Sequence, residues 1–128
     1  MRLKETLEEG IEVLVLAGEI DLHYAPVLRA LLQAKIAARS PALILDLSGV
    51  TFIDSSGLAA IIEYFRDAAD HGGVLCLAGM NDTLQTIFEI VRLDQVVPIF
   101  TSRSDAISAL QRGTVRPPAH AIFDRSAA

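Results

Sequence analysis

The run Ala42-Leu43-Ile44-Leu45-Asp46-Leu47 constrains this chain more than any other feature. It is apolar at nearly every position, whereas a half-buried strand would alternate apolar and polar residues. Uniform hydrophobicity over so short a length is what a strand covered on both faces requires, and such strands belong to parallel sheets flanked by helices.

The rest of the chain reads in agreement. Residues 3–8 alternate weakly, Glu9-Gly10 marks a turn, and Ile11 to Ala17 is rich in Val, Ile and Leu. The spacing predicts an N-terminal β-hairpin, with Gly18 closing its second strand. After Glu19-Ile20-Asp21, residues Tyr24, Leu28, Leu31 and Leu32 recur at helical spacing. Pro26 falls where a first-turn proline is tolerated, and Ser40-Pro41 ends that helix. A loop is expected from Ser48, carrying Val50, Phe52 and Ile53 to Asp54-Ser55-Ser56-Gly57. Leu58, Ile61, Ile62, Phe65 and Ala69 then define one helical face, and Gly72-Gly73 stops the helix. Val74 to Ala78 is a third apolar strand. Asn81 or Asp82 caps a helix burying Leu84, Ile87, Phe88 and Val91, and Val96 to Ile99 is a short last strand. Ser102-Arg103-Ser104-Asp105 has capping-box spacing and opens a final helix.

The predicted order is β-β-α-β-α-β-α-β-α. It implies an α/β fold with a four- to five-stranded, mostly parallel sheet, an N-terminal hairpin and about four helices. Residues 1–112 form the expected domain. Residues 113–128, interrupted by Pro117-Pro118 and ending in small or polar residues, read as a mobile C-terminal tail, with Ile122 and Phe123 as candidates to dock on the domain.

Charge and composition exclude several functions. A net charge of -5 with 11 basic residues disfavours nucleic acid, where phosphate neutralisation supplies most of the affinity. It equally disfavours an anionic membrane surface. No apolar run approaches the roughly 18 residues of a membrane span, and the N-terminus lacks a basic region followed by an apolar stretch. The expected location is the cytoplasm. The single cysteine, Cys76, allows no intrachain disulfide and reads as a core residue. No zinc spacing, other metal site or cofactor motif is present.

Asp54-Ser55-Ser56-Gly57 stands between a buried strand region and an amphipathic helix. Its bland reading is a helix N-cap. Three features suggest more. A hydroxyl at the carboxyl edge of a parallel sheet lies where ligands and partners usually meet such folds. Two adjacent serines offer one hydroxyl to the cap and one to the outside. Gly57, lacking a Cβ, would let another protein approach closely.

The segment Leu43-Ile44-Leu45-Asp46-Leu47-Ser48-Gly49-Val50-Thr51-Phe52-Ile53-Asp54-Ser55-Ser56-Gly57-Leu58 resembles the signature of STAS-domain anti-sigma factor antagonists, and Gly18-Glu19-Ile20-Asp21 resembles a second segment of that family. The resemblance spans roughly residues 3–112 and implies the STAS fold. It further implies that Ser56 is a phosphoacceptor and Ser55 the cap or its neighbour. Asp54, Ser55, Gly57 and Leu58 would join Asp21, His23 and Tyr24 in contacting a partner, with Asp21 near the serine in the fold. The implied partners are an anti-sigma factor with GHKL-type serine kinase activity, bound by the unphosphorylated form, and a PP2C-type phosphatase that resets the switch. A weak homodimer is also compatible with the resemblance. Tyr24, preceded by His23, departs from the small hydroxyl residue that this family often carries there. The alternative within the fold is a constitutive scaffold or accessory subunit of a signalling or transport complex, with no phosphorylation cycle.

Other classes fit less well. The nucleophile elbow of serine hydrolases needs Gly-x-Ser-x-Gly, but Asp54 and Leu58 flank Ser56 at those positions. A phosphoaspartate receiver could use Asp46 and Asp54 near strand ends but also needs a late lysine, and Lys4 and Lys35 are the only two. His23, His71 and His120 lack motif context; His71 reads as a cation at a helix C-terminus. The chain is expected not to be an enzyme.

Overall fold

A computed structural model of the chain describes residues 1–115. Ile122 and Phe123 lie outside the described residues.

Five strands, β1 (Arg2–Glu8), β2 (Ile11–Ile20), β3 (Ala42–Ile53), β4 (Val74–Ala78) and β5 (Ile99–Phe100), form one sheet in the order β1-β2-β3-β4-β5. The β1–β2 hairpin is antiparallel and every later pair is parallel. The helices are α1 (Ala25–Ala37), α2 (Ser55–Asp70), α3 (Asp82–Ile90) and α4 (Arg103–Gln111). Leu28 and Leu32 of α1, Leu58 and Ile61 of α2 and Leu84 and Phe88 of α3 share one core, which places these three helices on one face of the sheet, as crossovers of one hand along a chain-ordered sheet require. The other face is left to α4.

Two cores follow from this layering, and β3 supplies both by simple alternation. Leu43, Leu45 and Leu47 enter the large core with Leu14, Leu75, Leu77, Ile61 and Phe88. Ile44 turns to the smaller core with Val13, Cys76, Ala106 and Ile107. This is why the run reads as unbroken hydrophobicity. Asp46 also faces the smaller core, 6% exposed. Its Oδ1 accepts from Ser48 N–H at 3.0 Å, and its Oδ2 lies 3.4 Å from Arg103 Nε at the start of α4. Cys76 is fully buried, and burial pushes its thiol up to about 12, so it is inert packing.

Several boundaries differ from the sequence expectations. β2 does not close at Gly18, and the segment from Ser48 is not a loop. Both strands continue, pairing Ala17 with Gly49 and Gly18 with Val50 after one register shift, and Glu19 with Phe52 and Ile20 with Ile53 after a second. Gly49 makes this possible, because a Cβ there would lie 2.7 Å from that of Ala17. A glycine that resembles a turn signal therefore serves close backbone approach inside a strand. Asp46 is consequently mid-strand rather than at a strand end.

Tyr64, 2% exposed, joins the buried face of α2. Val91 is instead 44% exposed at the C-cap of α3. The last strand is Ile99–Phe100, not Val96 to Ile99, because a 3-10 turn at Leu93–Gln95 takes up the preceding chain. Asn81 and Ser102 cap α3 and α4, accepting from Leu84 N–H and Asp105 N–H. Beyond α4, Thr114 N–H and Oγ1 both donate to the Ala109 carbonyl, and Val115 packs on the smaller core.

Candidate functional site

The extended β2–β3 pairing carries two chain segments off the sheet side by side. Ile20 and Ile53 are its last partners, so Asp21 and Asp54 leave together. Asp54 N–H donates to the Ile20 carbonyl at 3.1 Å and ties the two exits.

Asp54 is the N-cap of α2, in extended conformation. Ser55, expected as cap or neighbour, is the first helical residue and exposed, so the cap itself is Asp54. A carboxylate outcompetes a hydroxyl here because it has more acceptor capacity. Oδ1 accepts from Ser56 N–H at 2.9 Å, from Gly57 N–H at 3.1 Å and from the Ser56 hydroxyl at 2.5 Å. Oδ2 accepts from Leu22 N–H at 2.9 Å, across the gap to the other segment. The Ser56 hydroxyl foremost, then the Gly57 amide, holds this carboxyl below its ordinary value. A carboxylate so held is a weak proton acceptor, so its effect on Ser56 is to orient the hydroxyl.

A pH prediction follows. Because folding lowers the Asp54 pKa, its contribution to stability is present above the ordinary carboxylate value and fades as pH falls through the lowered one. Ser56→Ala removes the largest cause, so Asp54 should titrate at higher pH in that variant. Carbon-detected NMR titration of the Asp54 carboxyl measures this directly; identical titration curves in the two proteins would contradict it.

The expected partner residues divide by position. Asp21 is half-buried, and its Oδ1 accepts from His23 N–H at 3.0 Å and Tyr24 N–H at 3.3 Å. It shapes the turn into α1, whose N-cap is Tyr24. The His23 and Tyr24 rings meet edge to face, centroids 4.7 Å apart, with His23 exposed. Gly57 and Leu58 are buried, which corrects the reason given for Gly57. Its missing Cβ serves internal packing, since a Cβ would lie 2.8 Å from both Ile20 Cγ2 and Ile53 Cγ1. These two residues hold the turn from beneath, while Ser55 and part of Ser56 form its surface.

Sequence reasoning missed Leu22. It is 74% exposed and lines, with Ser56, a shallow groove between α1 and α2. A leucine before a helix ordinarily signals core, so nothing in its local pattern marks it. Among the described residues no group of three or more His, Cys, Asp or Glu side chains is placed to hold a metal. No described helix is long and apolar enough to cross a membrane.

A STAS domain family model matches residues 4–106. The anti-sigma-B factor antagonist of Bacillus subtilis (strain 168) is 35% identical over 92 residues, spanning 72% of this chain and 83% of that protein. The chain belongs to the STAS-domain anti-sigma factor antagonist family. Among solved structures, an anti-sigma factor antagonist from Mycobacterium paratuberculosis superposes with a TM-score of 0.79 at 26% identity, covering 86% of this chain and 93% of that one. The Bacillus cell fate determinant SpoIIAA in its phosphorylated form gives a TM-score of 0.70 at 21% identity, covering 85% and 99%. The STAS fold expected from the sequence is therefore the observed one, with the parallel sheet, the hairpin and the helices in the expected order.

Proposed function

We propose that this protein is a phosphorylation-controlled anti-sigma factor antagonist whose switch is Ser56. Unphosphorylated, it binds an anti-sigma factor with GHKL-type serine kinase activity and keeps that factor from its sigma factor. Phosphorylated, it releases the anti-sigma factor, and a PP2C-type phosphatase restores the hydroxyl. It acts in the cytoplasm and catalyses nothing itself; ATP and the transfer machinery belong to the kinase.

The observation that carries this reading is the Ser56 hydroxyl itself. It lies in the first turn of a 16-residue helix, partly exposed, with its direction fixed by Asp54. In the transfer, Ser56 Oγ bonds to the γ-phosphorus of ATP, the bond from that phosphorus to the bridging oxygen breaks, ADP leaves, and the hydroxyl proton is released. A helix N-terminus tolerates the added anion. The related SpoIIAA is known in phosphorylated form on the same fold, which supports the same chemistry here. A purely constitutive scaffold would need the cap but not the hydroxyl.

Incubation with ATP and candidate anti-sigma kinases, followed by intact mass and peptide mapping, tests the assignment. One phosphoryl group on Ser56 is expected, with incorporation abolished in Ser56→Ala. Normal incorporation into Ser56→Ala would refute the site. No modification, with stable binding to another protein, would replace the switch by the scaffold reading.

A further inference from the structure

The groove between α1 and α2 has an apolar lip beside the switch serine. Leu22, Pro26 and Ala59 are exposed along it, and Ser56 lines the same groove. Arg29 and Glu63 also line it, paired at 3.0 Å, so their charges cancel locally. Beside it stand the carboxylates of Asp54, bonded to both Ser56 and Leu22, and of Asp21, next to Leu22 in the chain. An enzyme that brings a phosphate to Ser56 Oγ approaches beside this groove, because Ser56 lines it. The surface it lays there meets an exposed leucine flanked by carboxylates. The matching surface is an apolar side chain with a cationic neighbour.

We propose that Leu22 is the apolar anchor by which the anti-sigma kinase seats itself over Ser56. This rests on the Ser56 switch reading. Leu22 is also wired to the switch. Its N–H is bonded to Asp54 Oδ2, whose companion Oδ1 takes the Ser56 hydroxyl. The hydroxyl state therefore bears on where the anchor is held. Phosphorylation removes the hydroxyl hydrogen and sets a dianion against Asp54, which weakens the hold on Leu22. The same event that adds charge to the face thus also loosens its apolar contact.

The test is steady-state phosphorylation of the full chain by the kinase that modifies the wild-type protein, with antagonist concentration varied. Leu22→Ala should raise KM about tenfold with kcat nearly unchanged, as expected when a docking contact is truncated. Leu22→Met should restore KM. Leu7→Ala, a 70% exposed leucine on β1, should leave KM unchanged. An unchanged KM in Leu22→Ala, or an equal rise in Leu7→Ala, would overturn the anchor while wild-type phosphorylation still upheld the switch. Absence of phosphate from wild-type Ser56 would overturn both.

Discussion

Phosphorylation of Ser56 is expected to weaken binding of the anti-sigma factor about a hundredfold or more, because the phosphate's bulk breaks the fitted surface and burying a doubly charged group that this surface was not fitted to pair costs several kcal/mol. The group adds about -1.5 to -2 charges at neutral pH. Asp54 is already there, with its Oδ1 2.5 Å from the oxygen that becomes the ester. The same Oδ1 occupies the Ser56 and Gly57 amides, the donors a phosphate at this helix start would seek. Phosphate and carboxylate therefore compete, and Asp54 yields part of its cap. Its other oxygen holds Leu22, so the disturbance crosses to the second segment. Beyond that the fold is secured by two buried cores that do not involve these groups.

The expected result is thus a large change in affinity with a small change in structure. Amide spectra of the two forms should differ at residues 20–24 and 54–58 and superimpose elsewhere. Isothermal titration against the unphosphorylated and phosphorylated chains measures the affinity change. Shifts spread through β4, α3 and α4 would mean a fold change instead of local repulsion and block. Ser56→Asp carries one charge and no tetrahedral phosphate, so it should weaken binding by only about tenfold.

Much of this was legible in the sequence because several local signals agreed. The Ala42–Leu47 run, the helical spacing after it and the caps at Asn81 and Ser102 each point to one topology. What escaped the reading depends on contacts distant in sequence. Gly49, in the segment read as a loop, shows its role only when Ala17 is placed opposite it. Ser55 looks as good a cap as Asp54 until the strand is seen to run to Ile53, leaving Asp54 at the junction. Arg92, at φ 62°, turns the chain into the 3-10 segment without a glycine to announce it. Leu22 is the instructive miss: hydrophobicity predicts burial, and only the packing of Ile20 and Ala25 on either side shows that it is left outside. Site residues identified by resemblance were placed at or just beneath one surface, but resemblance could not say which of them faced outward.

Gly57→Val should be the most damaging single change at this site that leaves every ionisable and hydroxyl group in place. Even a bare Cβ at this position would lie 2.8 Å from Ile20 Cγ2 and Ile53 Cγ1 and 3.0 Å from the Ile20 carbonyl oxygen. Neither isoleucine yields without disturbing its neighbours, since Ile20 is 0% and Ile53 2% exposed in the large core. Against this, replacing glycine in a helix gains at most about 1 kcal/mol, and less for a β-branched residue in the first turn. Overpacking costs about 1–3 kcal/mol, and a branched side chain belongs at the upper end. The net expectation is a loss of about 2–3 kcal/mol, or roughly 10 °C in Tm for a domain of this size. Gly57→Ala should lose about 1 kcal/mol. Relief of the clash requires Ile20 to move, and Ile20 leads directly into Asp21 and Leu22. Phosphorylation of Gly57→Val should therefore slow even at temperatures where the protein is fully folded, because the anchor and the acceptor no longer hold their spacing. Thermal melts with phosphorylation rates measured well below the transition separate the two effects. An unchanged Tm would show that the turn is not packed as tightly as this geometry requires. A lowered Tm with an unchanged rate would show that the Ile20–Ile53 contact supports the fold without positioning the switch.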